Sequence, residues 1–195
     1  MKTDILCIVP PYSYKNLKDI GPKCPNLGIS IIAAYLEQNG YTVQIHDAFA
    51  LDSTFEAIEA EIRKIRPNVV LTGSSTSTHI AASKILELAK KVDPKIATVY
   101  GGPHVTNLPM SALSKPYVDY VVRGEGEVTA LELLNYIMGR QKTDRKQILG
   151  ISYMEDGEMV FTGSRPFIKQ LDDLPMPAYH LLPMEKYKAY GWLDV

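Results

Sequence analysis

Four short segments collect the residue types that could meet a ligand. They are Pro10-Pro11-Tyr12, Gly73-Ser74-Ser75-Thr76-Ser77-Thr78, Gly101-Gly102-Pro103-His104 and Arg123-Gly124-Glu125-Gly126-Glu127. The second offers five hydroxyls in six residues, and glycines in three of the four allow backbone to approach a bulky group closely. Such a rim suits a large ligand with polar and flat apolar parts. Each segment also has an ordinary structural use. Glycine and serine are common where strands turn into helices, and one of Thr76, Ser77 or Thr78 is expected to cap the helix that follows. Glu125 and Glu127 suit the positive end of a helix dipole. The four histidines, His46, His79, His104 and His180, do not cluster in sequence.

Several chemistries are excluded by what is missing. There is no GxxxxGK[ST] phosphate loop, and the segment after the first apolar run is proline-rich rather than GxGxxG. Thr72-Gly73 stands where a phosphorylated receiver domain needs an aspartate, and no serine sits in GxSxG. Cys7 and Cys24 are too few for a disulfide framework or a site built from thiolates alone.

The elements that must position these segments are legible from periodicity. Ile5-Leu6-Cys7-Ile8-Val9, Val69-Val70-Leu71-Thr72, Ile96 to Tyr100 and Val118 to Val122 are near-continuous apolar runs, as in parallel strands covered on both faces. Thr42 to His46 alternates and suits an edge strand. Helical spacing predicts Leu27–Gln38, closed by Asn39-Gly40, and Phe55–Ile65, with Ser53 as N-cap and Pro67 beyond. It also predicts Ile80–Val92, Glu127–Met138 and a short helix around Pro109–Ser114. Alternating strands and helices make a doubly wound, flavodoxin-like α/β fold, with a five-stranded parallel sheet in the order 2-1-3-4-5. In such sheets ligands bind beyond the carboxyl ends of the strands, where all four segments fall.

After residue 141 the pattern changes. Glu155-Asp156-Gly157 between two β-like runs predicts a hairpin, and the proline-punctuated stretch beyond it reads as a linker. The expected division is an α/β ligand-binding domain over 1–141, then a hairpin and linker over 142–195. The chain has 195 residues, 46% hydrophobic and 22% charged, with a net charge of −1, which speaks against nucleic acid or an anionic membrane as partner. With no segment long enough to span a membrane and no signal peptide, the expected location is cytoplasmic.

Read together, these segments resemble a known family. Val9-Pro10-Pro11-Tyr12, Pro25-Asn26-Leu27-Gly28, Gly73 to Thr78, Gly101-Gly102-Pro103-His104-Val105-Thr106, and Val118 to Glu127 with its RGEGE are similar to the cobalamin-binding N-terminal domain of radical S-adenosylmethionine (SAM) enzymes, notably the anaerobic Mg-protoporphyrin ester cyclase group. Leu174-Pro175-Met176-Pro177-Ala178-Tyr179 resembles the stretch leading into that family's catalytic barrel. The resemblance implies a corrinoid over the sheet edge, its nucleotide tail inserted between strand ends. Ser74, Thr76 and Thr78 would contact the tail or corrin amides, and Gly101 and Gly102 would let backbone pass beside the tail. Pro10, Pro11 and Tyr12 would lie against the corrin face, Gly124-Glu125-Gly126 would close the far side, and Gly73, Ser75, Pro103 and His104 complete the implied set.

Two features depart from the family. The CxxxCxxC motif that holds the family's four-iron four-sulfur cluster does not occur, so this chain alone is not expected to perform radical chemistry with SAM. The Asp-x-His-x-x-Gly loop of cobalamin-dependent methionine synthase is also missing, so base-off cobalamin without a protein histidine on cobalt is expected. The whole enzyme would then carry a radical SAM barrel, for methyl transfer or anaerobic oxidative cyclisation. A free-standing corrinoid carrier or sensor and a flavin-binding module are the competing readings.

Overall fold

The computed structural model describes residues 2–12 and 23–187. Seven strands form one sheet in the order β2-β1-β3-β4-β5-β6-β7. They are β1 (Ile5–Val9), β2 (Val43–Asp47), β3 (Val69–Gly73), β4 (Ala97–Gly101), β5 (Tyr120–Val122), β6 (Ile151–Glu155) and β7 (Glu158–Phe161). The first five run parallel in the expected order. β1 shows why: Ile5, Cys7 and Val9 join the apolar cluster on one face, while Leu6 and Ile8 join that on the other. The helices α1 (Leu27–Gln38) and α6 (Glu127–Ile137) cover the first face. On the second lie α2 (Phe55–Ile65), α3 (His79–Val92) and α5 (Pro109–Leu113). Burial pushes the Cys7 thiol up to about 12, so it behaves as a small core residue.

The sheet has seven strands rather than five because the hairpin joins it. β6 pairs antiparallel with β5, and β7 with β6. Asp156 (φ 51°) and Gly157 (φ 84°) make a two-residue turn with both centres left-handed, which the Asp-Gly pair favours. Arg123 pins the hairpin from inside the RGEGE segment. Its guanidinium donates to Thr162 O at 2.5 Å and to Ile151 O at 3.2 Å, and it lies 3.4 Å from the Phe161 ring centroid. Ile148, Ile151 and Tyr153 are buried in the same cluster as α1 and α6.

Local details depart from expectation in three places. Thr54, not Ser53, caps α2, accepting from Ala57 N at 3.3 Å, because the Ser53 hydroxyl is engaged by His46 Nε2 at 3.0 Å. None of Thr76, Ser77 or Thr78 caps α3 through its side chain: Thr76–Thr78 form a 3₁₀ turn running directly into it. An additional short helix, α4 (Pro103–Asn107), precedes α5, with Pro103 in its first turn. The proline-rich stretch also packs on the domain. Ala178 N donates to Ser30 O at 3.0 Å, Ala178 and Leu182 are buried, and Tyr187 reaches Asp47. Residues 13–22 of the first loop and 188–195 of the expected linker lie outside the described residues. Among the described residues no helix is long and apolar enough to cross a membrane.

Candidate functional site

A cavity of about 1130 Å³ opens at the carboxyl ends of β1, β3, β4 and β5. It spans the point where chain order reverses between β1 and β3, the place the topology reserves for ligands. Its walls are apolar, with Ile29 and Ile32 from α1, Leu71 and Val99 from the sheet, and Ala130 from α6. Gly73 and Gly101 are register partners on adjacent strands. A methyl group built on Gly73 would come no nearer than 3.6 Å to other protein atoms, and one on Gly101 no nearer than 3.9 Å. Side chains are missing there although the protein has room for them.

Gly102 is different in kind. Its φ is +97°, and a Cβ there would stand 2.6 Å from Ser74 O and 2.7 Å from Ser74 N. This close approach locks the turns after β3 and β4 together: Ser74 N donates to Gly101 O at 3.1 Å, and His104 N donates to Ser74 O at 3.2 Å. A bulky residue at Gly102 therefore collides with main chain.

The hydroxyl segment divides between the cavity and the surrounding protein. Ser74, Ser75 and Thr78 line the cavity, and Ser74 is only 4% exposed. Its hydroxyl lies 2.8 Å from that of Tyr100, whose oxygen is 2.9 Å from His79 Nδ1. Burial pushes the Tyr100 phenol up to about 12, so it stays protonated. At the opposite wall, Glu125 Oε2 accepts from Ile168 N at 2.7 Å. Glu127 also lines the cavity, and among the described residues its buried Oε2 has no hydrogen-bond partner. At the mouth, the Tyr12 and Phe49 rings lie 5.0 Å apart, and the Lys23 ammonium sits 5.9 Å from the Phe49 ring. Tyr187 closes in from the returning tail and donates to the buried Asp47 Oδ2 at 2.8 Å. Burial, then its bond to Asp47, pushes the Tyr187 phenol well above its ordinary value.

The cavity thus gathers Pro10, Tyr12, Gly73, Ser74, Ser75, Thr78, Gly101, Gly102, Pro103, Gly124, Glu125 and Gly126 from the expected set. Pro11, Thr76 and His104 do not line it. Thr76 Oγ1 faces His104 Nδ1 at 3.3 Å, and the other imidazole nitrogen of His104 lies 3.2 Å from Ser111 Oγ. Sequence reasoning omitted Ile29, Ile32, Phe49, Glu127, Met184 and Tyr187 from the site. Glu127 was visible in the RGEGE motif, and the apolar spacing of α1 marks Ile29 and Ile32 as inward-facing; no local pattern marks the two tail residues. No histidine lines the cavity. His46 pairs with Ser53, His180 with Glu37 at 3.0 Å, and the His79 and His104 rings pack 3.9 Å apart. Burial depresses the pKa of His46, and burial with nearby His104 and Lys115 depresses that of His79. Among the described residues, no three His, Cys, Asp or Glu side chains are grouped to hold a metal ion.

Residues 16–134 match the model of the B12 binding domain. The chain is 38% identical over 96% of its length to the uncharacterized methyltransferase PH0819 of Pyrococcus horikoshii, covering 40% of that protein. It is 34% identical over 94% of its length to the anaerobic magnesium-protoporphyrin IX monomethyl ester cyclase of Rubrivivax gelatinosus, covering 33% of it. The chain therefore spans well under half of these relatives. Its fold is shared with the cobalamin-dependent S-adenosylmethionine radical enzyme OxsB, solved with aqua-cobalamin and S-adenosylmethionine bound. The TM-score is 0.76 at 17% identity, over 94% of this chain and 25% of that one.

Proposed function

The chain belongs to the B12 binding domain family, and from that premise we propose that its cavity at the strand ends holds cobalamin for a larger radical SAM protein. The observation that carries the reading is the paired Gly73 and Gly101 floor, where space is kept that a Cβ would fill without collision. The rest of the lining fits the same group. Ser74, Ser75 and Thr78 offer hydroxyls to amides and a nucleotide tail, and the orphaned Glu127 Oε2 needs a ligand N–H to satisfy it. Pro10, Tyr12 and Ile32 supply apolar contact for a flat ring system, and Gly124-Glu125-Gly126 close the wall against α6. Bound cobalamin would supply a cobalt centre able to pass on a methyl group or an electron.

In this reading residues 1–141 hold the cofactor and 142–195 lead towards a catalytic barrel carrying a four-iron four-sulfur cluster and SAM. Methyl transfer and anaerobic cyclisation are the two reactions that the relatives' names suggest for the whole protein.

We further infer that the cofactor binds base-off, with no protein nitrogen on cobalt. All four histidines are held outside the cavity by other partners or by each other. Lys23, the lining residue with an amine, donates to Ala50 O and pairs with Asp52. The test is an electron paramagnetic resonance spectrum of the Co(II) form bound to the chain. Cobalt lines without nitrogen superhyperfine splitting are expected; a triplet on each line would mean that an imidazole or the tail base is ligated.

A further inference from the structure

We propose that Met184 and Tyr187, from the segment after the hairpin, form a wall of the corrinoid site, with Asp47 as the positioning residue that holds Tyr187 in it, so that cofactor occupancy and docking of that segment are coupled. The inference rests on the cobalamin reading for the identity of the ligand, and it assigns part of the stretch beyond residue 141 to the site itself.

Three hydrogen bonds tie the segment to successive parts of the cavity rim. Ile168 N donates to Glu125 Oε2 at 2.7 Å, in the turn after β5. Ala178 N donates to Ser30 O at 3.0 Å, in the first turn of α1, the helix whose Ile29 and Ile32 line the cavity. The Tyr187 hydroxyl donates to Asp47 Oδ2 at 2.8 Å, at the end of β2. The segment thus follows the rim from β5 past α1 to β2. Between the second and third ties Leu182 is buried, and His180 pairs with Glu37 of α1 at 3.0 Å.

The last tie is made to a sheltered group. Asp47 is only 1% exposed, and its two oxygens have separate duties. Oδ1 accepts from Ala50 N at 2.8 Å, fixing the turn that carries Phe49, and Oδ2 accepts the Tyr187 hydroxyl. One carboxyl group therefore sets two aromatic residues that line the cavity, Phe49 and Tyr187. With its hydroxyl spent on Asp47, what Tyr187 has left for a ligand is ring surface. Met184 lines the cavity too and remains 47% exposed. An apolar side chain left half in water at a cavity wall gains free energy when a ligand covers it. A corrinoid touching Met184 and Tyr187 binds more tightly when the segment is docked, and by linkage it strengthens docking by the same factor.

The test follows two quantities on the 195-residue chain: amide hydrogen exchange over residues 178–187 by mass spectrometry, and hydroxocobalamin affinity by titration. Saturating hydroxocobalamin is expected to slow exchange in that segment at least about fivefold, with exchange in α2 on the far face unchanged. Tyr187→Phe keeps the ring and loses the tie. It is expected to speed exchange in the ligand-free chain about tenfold and to weaken binding about fivefold. Met184→Ala leaves the tie intact, and is expected to weaken binding about threefold with ligand-free exchange unchanged. Unchanged affinity in both variants overturns the wall. Faster exchange in Tyr187→Phe without weaker binding overturns the coupling, as does wild-type exchange that bound hydroxocobalamin leaves unaltered. Should Tyr187→Phe fail to fold, Met184→Ala and the wild-type exchange decide. A wild-type chain that does not bind hydroxocobalamin overturns the cobalamin reading instead, and ligand-free exchange in Tyr187→Phe still decides whether Asp47 holds the segment.

Discussion

The two ends of the same sheet are built on opposite rules. At the amino ends of the strands, polar groups are spent on one another. Asp4 Oδ2 accepts from Thr42 N at 3.0 Å, Asp119 Oδ2 accepts from Thr98 N at 2.8 Å and from Lys90 at 2.6 Å, and Thr98 Oγ1 donates to Tyr117 O at 2.9 Å. A cavity of about 640 Å³ lies there too, but two of its cations are committed, Lys90 to Asp119 and Arg145 to Glu155. At the carboxyl ends, side chains are withheld at Gly73 and Gly101 and the Glu127 Oε2 is left without a partner. Buried polar groups are nearly always satisfied, so the unpartnered Glu127 Oε2 beside the glycine floor marks a place where a ligand donor would complete the structure.

That contrast predicts that stability and binding separate by location. The largest effect falls on Gly102→Val, which joins the two properties, because its Cβ meets Ser74 main chain at a positive φ. We expect a loss of about 3 kcal/mol, a melting temperature lower by about 10 °C, and no retained cobalamin. Gly101→Val should act on binding alone, weakening hydroxocobalamin at least about 100-fold by overfilling the floor while the melting temperature moves by no more than about 3 °C. Asp119→Ala should do the reverse, costing about 2 kcal/mol in thermal unfolding with cobalamin affinity unchanged. Retained binding in Gly101→Val together with lost binding in Asp119→Ala would invert the comparison.

The smallest effect is on pH. His46 and His79 have depressed folded-state pKa values, first through burial, so the unfolded chain binds their protons more readily. Their contribution to stability is present above the ordinary histidine value of about 6.5 and is lost as pH falls towards the depressed values. Urea midpoints should therefore fall between about pH 6.5 and 5, and the slope should flatten in His46→Gln, whose amide does not titrate.

Strand order and helix limits were legible because core faces impose a period on the chain. Leu27–Gln38 and Phe55–Ile65 emerge as read, each bounded by a turn or proline signal. The extra strands were not legible. A hairpin is recognisable from Asp156-Gly157, but whether it stands apart or extends a sheet is decided by Arg123, whose two carbonyl partners lie 28 and 39 residues away. The site was legible where it is made of turns, since glycine and hydroxyl residues announce themselves. It was not where it depends on distant chain: Tyr187 reaches Asp47 across 140 residues, and His79 meets His104 only because β3 and β4 are neighbours. A count of histidines in sequence could not show that these two rings pack against each other.

The most direct test is retention of cobalamin by the chain itself. Purified protein is mixed with hydroxocobalamin under anaerobic conditions, desalted, and its visible spectrum recorded beside that of Gly101→Val. The account predicts corrin bands at one cobalamin per chain for the wild type and none for the variant. A wild-type spectrum without corrin bands, or equal retention by both proteins, would contradict it.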